Sequence, residues 1–201
     1  MKSAGNDIVA LNAVDQQRTV SPQFYSKFII PQERELFEQS SISETVSFCA
    51  FVWLVWSVKE SAYKFVKRLQ PELIFSPSKF VVEGIDISGN YLTGGVSFKN
   101  IKLHYRSWIT DGYIQTIVDD NESFDGVYYQ SNQIEKPDSN LQSLAVRLIV
   151  LHKLRAILKS DDLTIGKSTT GYPTLLQDGK ELDIALSFAH HGRFVGYSFK
   201  V

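Results

Sequence analysis

An apolar run that acquires charge along one line as it ends constrains this fold more than any other feature. Val46, Phe48, Cys49, Phe51, Val52, Trp53, Leu54 and Val55 lead into Trp56-Ser57-Val58-Lys59-Glu60-Ser61-Ala62-Tyr63-Lys64. On a helix, Trp56, Glu60 and Lys64 share one face about a turn apart, with Lys59 just off that line. The first half is apolar nearly all round, so the helix belongs between layers of the fold. Ser41 or Ser43, with Glu44, is expected to cap it, and Pro71 to stop it after Leu69. Its charged end fits two roles. One is a carboxylate and an ammonium serving a metal–phosphate site. The other is the solvated end of an amphipathic helix, where Glu/Lys pairs at i, i+4 only add stability.

The segments around this helix read as a mixed α+β chain. Near the start, Gly5-Asn6-Asp7-Ile8-Val9 favours a strand with Asp7 at its mouth. Pro31 introduces a short helix, Gln32-Glu33-Arg34-Glu35-Leu36-Phe37, with acidic residues where the helix dipole prefers them. After the long helix, Phe80–Ile87, Gly95–Phe98, Lys102–Trp108 and Tyr113–Val118 partly alternate, and Ser88-Gly89-Asn90 and Asp111-Gly112 supply turns. Residues 121–140 turn polar and are expected to be a linker or surface excursion. Leu144, Leu148, Leu151, Leu154 and Leu158 then recur at helical spacing. The chain closes on Thr169-Thr170-Gly171-Tyr172-Pro173 and two strands joined around His190-His191-Gly192.

Asp7 in its Gly-x-Asp strand, followed by Trp-Ser-x-Lys-Glu-Ser-x-x-Lys, resembles the 4'-phosphopantetheinyl transferases. That family moves the phosphopantetheine arm of coenzyme A onto a serine of a carrier protein. The second half adds to the resemblance. In the longer, surfactin-type enzymes an Arg-bearing amphipathic helix, a Gly-Lys-Pro and a Ser-His-Ser-Gly-Arg segment precede the Gly-x-Asp lobe. Here a helix with Arg147 and Arg155, then Gly171-Tyr172-Pro173, then Ala189-His190-His191-Gly192-Arg193-Phe194-Val195 follow it instead. The chain looks like two such lobes in swapped order, and is also similar to the short holo-acyl-carrier-protein synthases.

The resemblance implies an α+β fold of two pseudo-symmetric lobes, each with an antiparallel sheet packed on a long helix. The expected division is 1–120, a linker at 121–140, and 141–201. It implies Mg2+ on Asp7 and Glu60, coenzyme A as co-substrate and an apo acyl or peptidyl carrier protein as acceptor, as in fatty acid biosynthesis. Glu60 and Lys64 would be catalytic; Glu33 would contribute to the metal region. Lys59, His190, Arg193, Arg147 and Lys167 would contact phosphates. A two-lobed chain builds its site within itself, so a monomer is expected. Three departures stand out. Ala189 replaces a serine, Tyr172 stands where the longer enzymes usually have lysine, and Val9 occupies the place of a second carboxylate. A catalytically silent coenzyme A or carrier-binding module is the alternative.

Composition narrows the partners. With 201 residues, 43% hydrophobic, the chain can bury a substantial core. A net charge of -1 gives no field to draw in nucleic acid, so any basic patch must be local. Cys49 is the single cysteine, which excludes an internal disulfide. Val46–Val58 is shorter than the about 20 residues that a membrane span takes, and a cytoplasmic location without membrane contact is expected.

Overall fold

The computed structural model describes residues 2–39 and 41–201. In chain order it contains β1 (Gly5–Ala10), α1 (Gln16–Thr19), α2 (Pro22–Tyr25), α3 (Pro31–Gln39), α4 (Ile42–Thr45) and α5 (Phe48–Leu69). There follow β2 (Val81–Val82), β3 (Asp86–Ser88), β4 (Tyr91–Phe98), β5 (Ile101–Ile109), β6 (Tyr113–Asp119) and β7 (Val127–Gln133). The rest is α6 (Ser139–Leu158), β8 (Leu163–Lys167), β9 (Pro173–Gln177), β10 (Lys180–Glu181), β11 (Ala185–His191) and β12 (Phe194–Lys200). The fold is α+β with antiparallel sheets, as expected. Among the described residues no helix is long and apolar enough to cross a membrane.

Helix α5 starts later than its sequence suggests. Val46 adopts an extended backbone, and Ser47 caps the helix, its hydroxyl accepting from the Ala50 N–H; Ser41 makes no side-chain cap for α4. The expected single helix is therefore divided into α4 and α5, with Val46 between them. From Phe51 to Val66, α5 buries Phe51, Val52, Leu54, Val55, Val58, Ala62, Phe65 and Val66 against the first sheet. In that sheet β1 is an edge strand, beside β6 and then β5 and β4, with β2 and β3 on the far edge of β4. Asp7 lies opposite Thr116.

A second core forms around Val146, Val150 and Leu154 of α6 with Leu186, Val195, Tyr197 and Phe199 of the terminal hairpin. Asp138 caps α6 by accepting from the Asn140 and Leu141 N–H groups. Residues 121–140 are not simply a linker: they carry β7, which pairs with β12 from Val127–Lys200 to Gln133–Phe194. The polar residues that read as loop belong to an edge strand with most side chains in solvent. Tyr129 stacks on Trp108 (ring centroids 4.6 Å) and Tyr128 on Phe199 (5.0 Å), the aromatic packing that favours a strand here.

The free edge of β1 meets β11 through side chains. The Ser187 hydroxyl accepts from the Asn6 N–H (3.1 Å), and His191 Nδ1 accepts from the Ala10 N–H (3.0 Å). Gly192, at φ +56 in the β11–β12 turn, presses on Ala10, where a Cβ would come within 2.8 Å of the Ala10 Cβ. Lys200 of β12 also ties to Asp119 of β6 at 2.8 and 2.9 Å. These links bring the terminal hairpin alongside Asp7.

Candidate active site

Gly5 sets the geometry. A Cβ at this position would lie 2.1 Å from the Ser61 carbonyl oxygen, so only glycine lets β1 approach α5 this closely. Two residues on, Asp7 meets the helix face that carries Glu60 and Lys64. The Lys64 ammonium donates to Asp7 Oδ1 (3.1 Å) and to the Asn6 carbonyl (3.0 Å), and lies 3.8 Å from Glu60 Oε1. Asp7 Oδ2 is buried with no hydrogen-bond partner among the described residues. The line predicted from i, i+4 spacing therefore converges on the strand-borne aspartate.

The electrostatics are those of a site short of positive charge. Burial pushes the Asp7 carboxyl up; Lys64, and a Ser57 hydroxyl that lies near without hydrogen-bond geometry, offset this only in part. Glu60 is also raised, first by burial and further by the Asp7 charge, with Lys64 opposing. A hard divalent cation suits this donor set: two carboxylates, one with an orphaned oxygen, leaving the remaining positions for water and phosphate oxygens. Among the described residues no cluster of three or more His, Cys, Asp or Glu side chains could hold a metal, so any ion here rests on two protein carboxylates.

His190, on β11, is exposed, yet within the field of this trio. Partial burial and then the Lys64 and His191 charges lower its imidazole, and Asp7 raises it in part. These influences favour the neutral form of its imidazole. His191 serves the turn instead, through its bond to Ala10.

Beside Lys64 opens a cleft of about 280 Å³. One wall is α5 with Tyr63, Lys64, Lys67 and Arg68; the other comes from Thr170–Pro173 and from Ser187 and Phe188. Arg147 reaches this region only indirectly: its guanidinium donates to the Ile165 carbonyl (3.3 Å) and lies over the Phe188 ring (5.9 Å). Lys167 is exposed at the end of β8, its chain near Gly171. Arg193 is on the β11–β12 turn and donates to the Ile134 carbonyl (3.2 Å); no bond links it to Asp7, Glu60 or Lys64.

Two expectations are corrected. Lys59 is fully buried and donates to Glu33 Oε2 (2.7 Å) and, at hydrogen-bond distance, to the Phe28 carbonyl, so it has no reach to a phosphate. Glu33 is equally buried and accepts from Lys59 and from the Ile30 and Val82 N–H groups, so it does not contribute to a metal region. The reason is angular: one residue along a helix turns about 100°, so Lys59 points away from the face of Glu60 and Lys64.

The sequence reading missed Lys67 and Arg68. The spacing that found Glu60 and Lys64 continues to Arg68 at i+8 from Glu60, and only the apparent end of the charged motif hid it.

A comparison with curated proteins gave no match. Residues 3–118, more than half of the chain, match the family model of the 4'-phosphopantetheinyl transferase superfamily, and the match takes in Asp7, Glu60 and Lys64. With the Gly-x-Asp strand laid on the Lys-Glu helix in an α+β fold, the chain belongs to the 4'-phosphopantetheinyl transferase superfamily.

Proposed function

We propose that this protein transfers the 4'-phosphopantetheine arm of coenzyme A to a serine of an apo acyl or peptidyl carrier protein. The observation that carries this reading is the meeting of Asp7, Glu60 and Lys64 at the mouth of a cation-lined cleft. The serine oxygen bonds to the phosphopantetheine phosphorus, and the bond from that phosphorus to the bridging pyrophosphate oxygen breaks. The electron pair leaves with 3',5'-ADP, and the serine proton passes to Glu60 or to a water it holds. Burial raises the metal-free Glu60 carboxyl above the ordinary carboxylate range, which makes it a stronger proton acceptor. Lys64 neutralises the charge that gathers on the leaving group, and His190 contacts the nucleotide phosphates. Asp7 and Glu60 would hold Mg2+, which would supply charge neutralisation to the pyrophosphate.

The cleft takes its walls from residues 63–68 and 170–188 of one chain, which favours a monomer of two lobes, 1–120 and 141–201, in permuted order. Incubation of the protein with coenzyme A, Mg2+ and a panel of apo carrier proteins is expected to add one phosphopantetheine to a carrier, read by intact mass. No gain on any carrier, with coenzyme A still bound, would identify a silent binding module.

Metal binding has its own signature in stability. Both carboxylates have folded-state pKa values raised above their unfolded ones, so the folded metal-free protein holds protons that the unfolded chain releases. Their contribution to stability therefore falls as pH rises from the ordinary carboxylate range through the raised one. Mg2+ binds the ionised pair and reverses this. At ten times its Kd it is expected to add about 1.4 kcal/mol at about pH 8, and markedly less at about pH 5. Thermal melts of the native protein and Asp7→Asn with and without Mg2+ check this; equal shifts in both proteins would rule out Asp7 as a ligand.

A further inference from the structure

One cation of the cleft is built in from both of its walls. Arg68 leaves α5 one turn beyond Lys64 and is only 7% exposed. Its Nη1 donates to the Pro173 carbonyl (3.4 Å), and its guanidinium lies 4.5 Å from the centre of the Tyr172 ring. No carboxylate pairs with it among the described residues, and no protein acceptor meets its other N–H groups. Glu181 and Asp183 act on it only from a distance. A guanidinium that lines the cleft without a counter-ion favours an anion there, and stacking on an aromatic ring fixes the plane of its donor fork. Lys67, the other cation on this wall, is already bound to the Leu73 carbonyl (2.9 Å).

The spacing indicates which anion. Lys64 serves the pyrophosphate, and side chains one turn apart on a helix lie about 5–6 Å from each other. A ligand reaching both carries a second phosphate close to its pyrophosphate, as coenzyme A does on its ribose. We propose that Arg68, seated on Tyr172, binds the 3'-phosphate of coenzyme A and makes this protein select coenzyme A over its 3'-dephospho form. Tyr172 lies across the cleft from α5 and meets the Arg68 guanidinium there. Tyr172 is the platform that holds it. This assignment rests on the transferase reading above.

The test is calorimetric titration of the native protein, Arg68→Met and Tyr172→Ala with coenzyme A and with 3'-dephospho-coenzyme A, in the presence of Mg2+. Charge-assisted hydrogen bonds to one phosphate are expected to give the native protein a preference of at least about tenfold for coenzyme A. In Arg68→Met the two affinities are expected to come within about twofold, through loss of affinity for coenzyme A alone. Tyr172→Ala, which frees the guanidinium from its platform, is expected to lose about half of the preference on a logarithmic scale. Thermal melting establishes that each variant is folded; should Arg68→Met not fold, Tyr172→Ala and Arg68→Lys decide the matter by the same ratio. A native protein that binds both ligands equally, or folded variants that keep the full preference, would overturn the assignment. Failure of the transferase reading looks different: the native protein then binds neither ligand and modifies no carrier.

Discussion

Glu60→Gln is expected to lower phosphopantetheine transfer by about 10³-fold or more while leaving the protein folded and at least as stable as the native form. The loss combines a missing proton acceptor, commonly a factor of about 10²–10⁴, with a missing metal carboxylate. Stability should not fall, because burial and the Asp7 charge raise the Glu60 carboxyl, so its ionised form is a cost to the fold at neutral pH. Glutamine removes that charge and nearly preserves the shape. Asp7→Asn should behave alike, since its Oδ2 loses no hydrogen bond. The rival account, a surface Glu60–Lys64 pair at 3.8 Å, gives the opposite pattern: unchanged transfer and a slight loss of stability, as exposed i, i+4 pairs show. Rate and melting temperature on one set of variants separate the two.

How far the sequence revealed this site depends on which residue is considered. Asp7, Glu60 and Lys64 were legible because the motif order and the i, i+4 line each carry independent information. Their meeting depends on Gly5, whose missing side chain lets β1 press to within contact of Ser61. Lys59 was misread because its neighbour in space is Glu33, 26 positions away, a distance that helical spacing does not address. The break at Val46 is hidden because Ser41, Ser43 and Glu44 offer an earlier cap, and only the extended Val46 and the Ser47 cap divide α4 from α5. Strand β7 was hidden by its own polarity; an edge strand bonded on one side needs little apolar sequence. Arg68 was within reach of the spacing argument, whereas its partner Tyr172 is 104 residues further on and could be paired with it only in three dimensions.

The largest losses of stability are expected from Lys59→Met, about 3–5 kcal/mol in chemical denaturation, and from Glu33→Ala, which should match or exceed it. Both side chains of this pair are fully buried, so removing either partner leaves an uncompensated charge in the core. Glu33 also accepts the Ile30 N–H (3.0 Å) and the Val82 N–H (2.9 Å), so its carboxylate joins α3 to β2 as well as to α5. Deleting it therefore orphans two backbone donors besides Lys59. Burial lowers the Lys59 ammonium and Glu33 restores it only in part, and the desolvation of a buried pair offsets much of its attraction. Replacing both at once, Lys59→Met with Glu33→Gln, is consequently expected to recover most of the loss. The same variants decide the role of Lys59 in the reaction. A phosphate anchor would raise the coenzyme A KM of Lys59→Met and leave its melting unchanged. A strut beneath Glu60 lowers the melting temperature and leaves KM within about twofold at a temperature where the variant is folded. Helix α5 thus presents one lysine to the core and the next to the Asp7 carboxylate, five residues apart, and the two substitutions should fail in different assays.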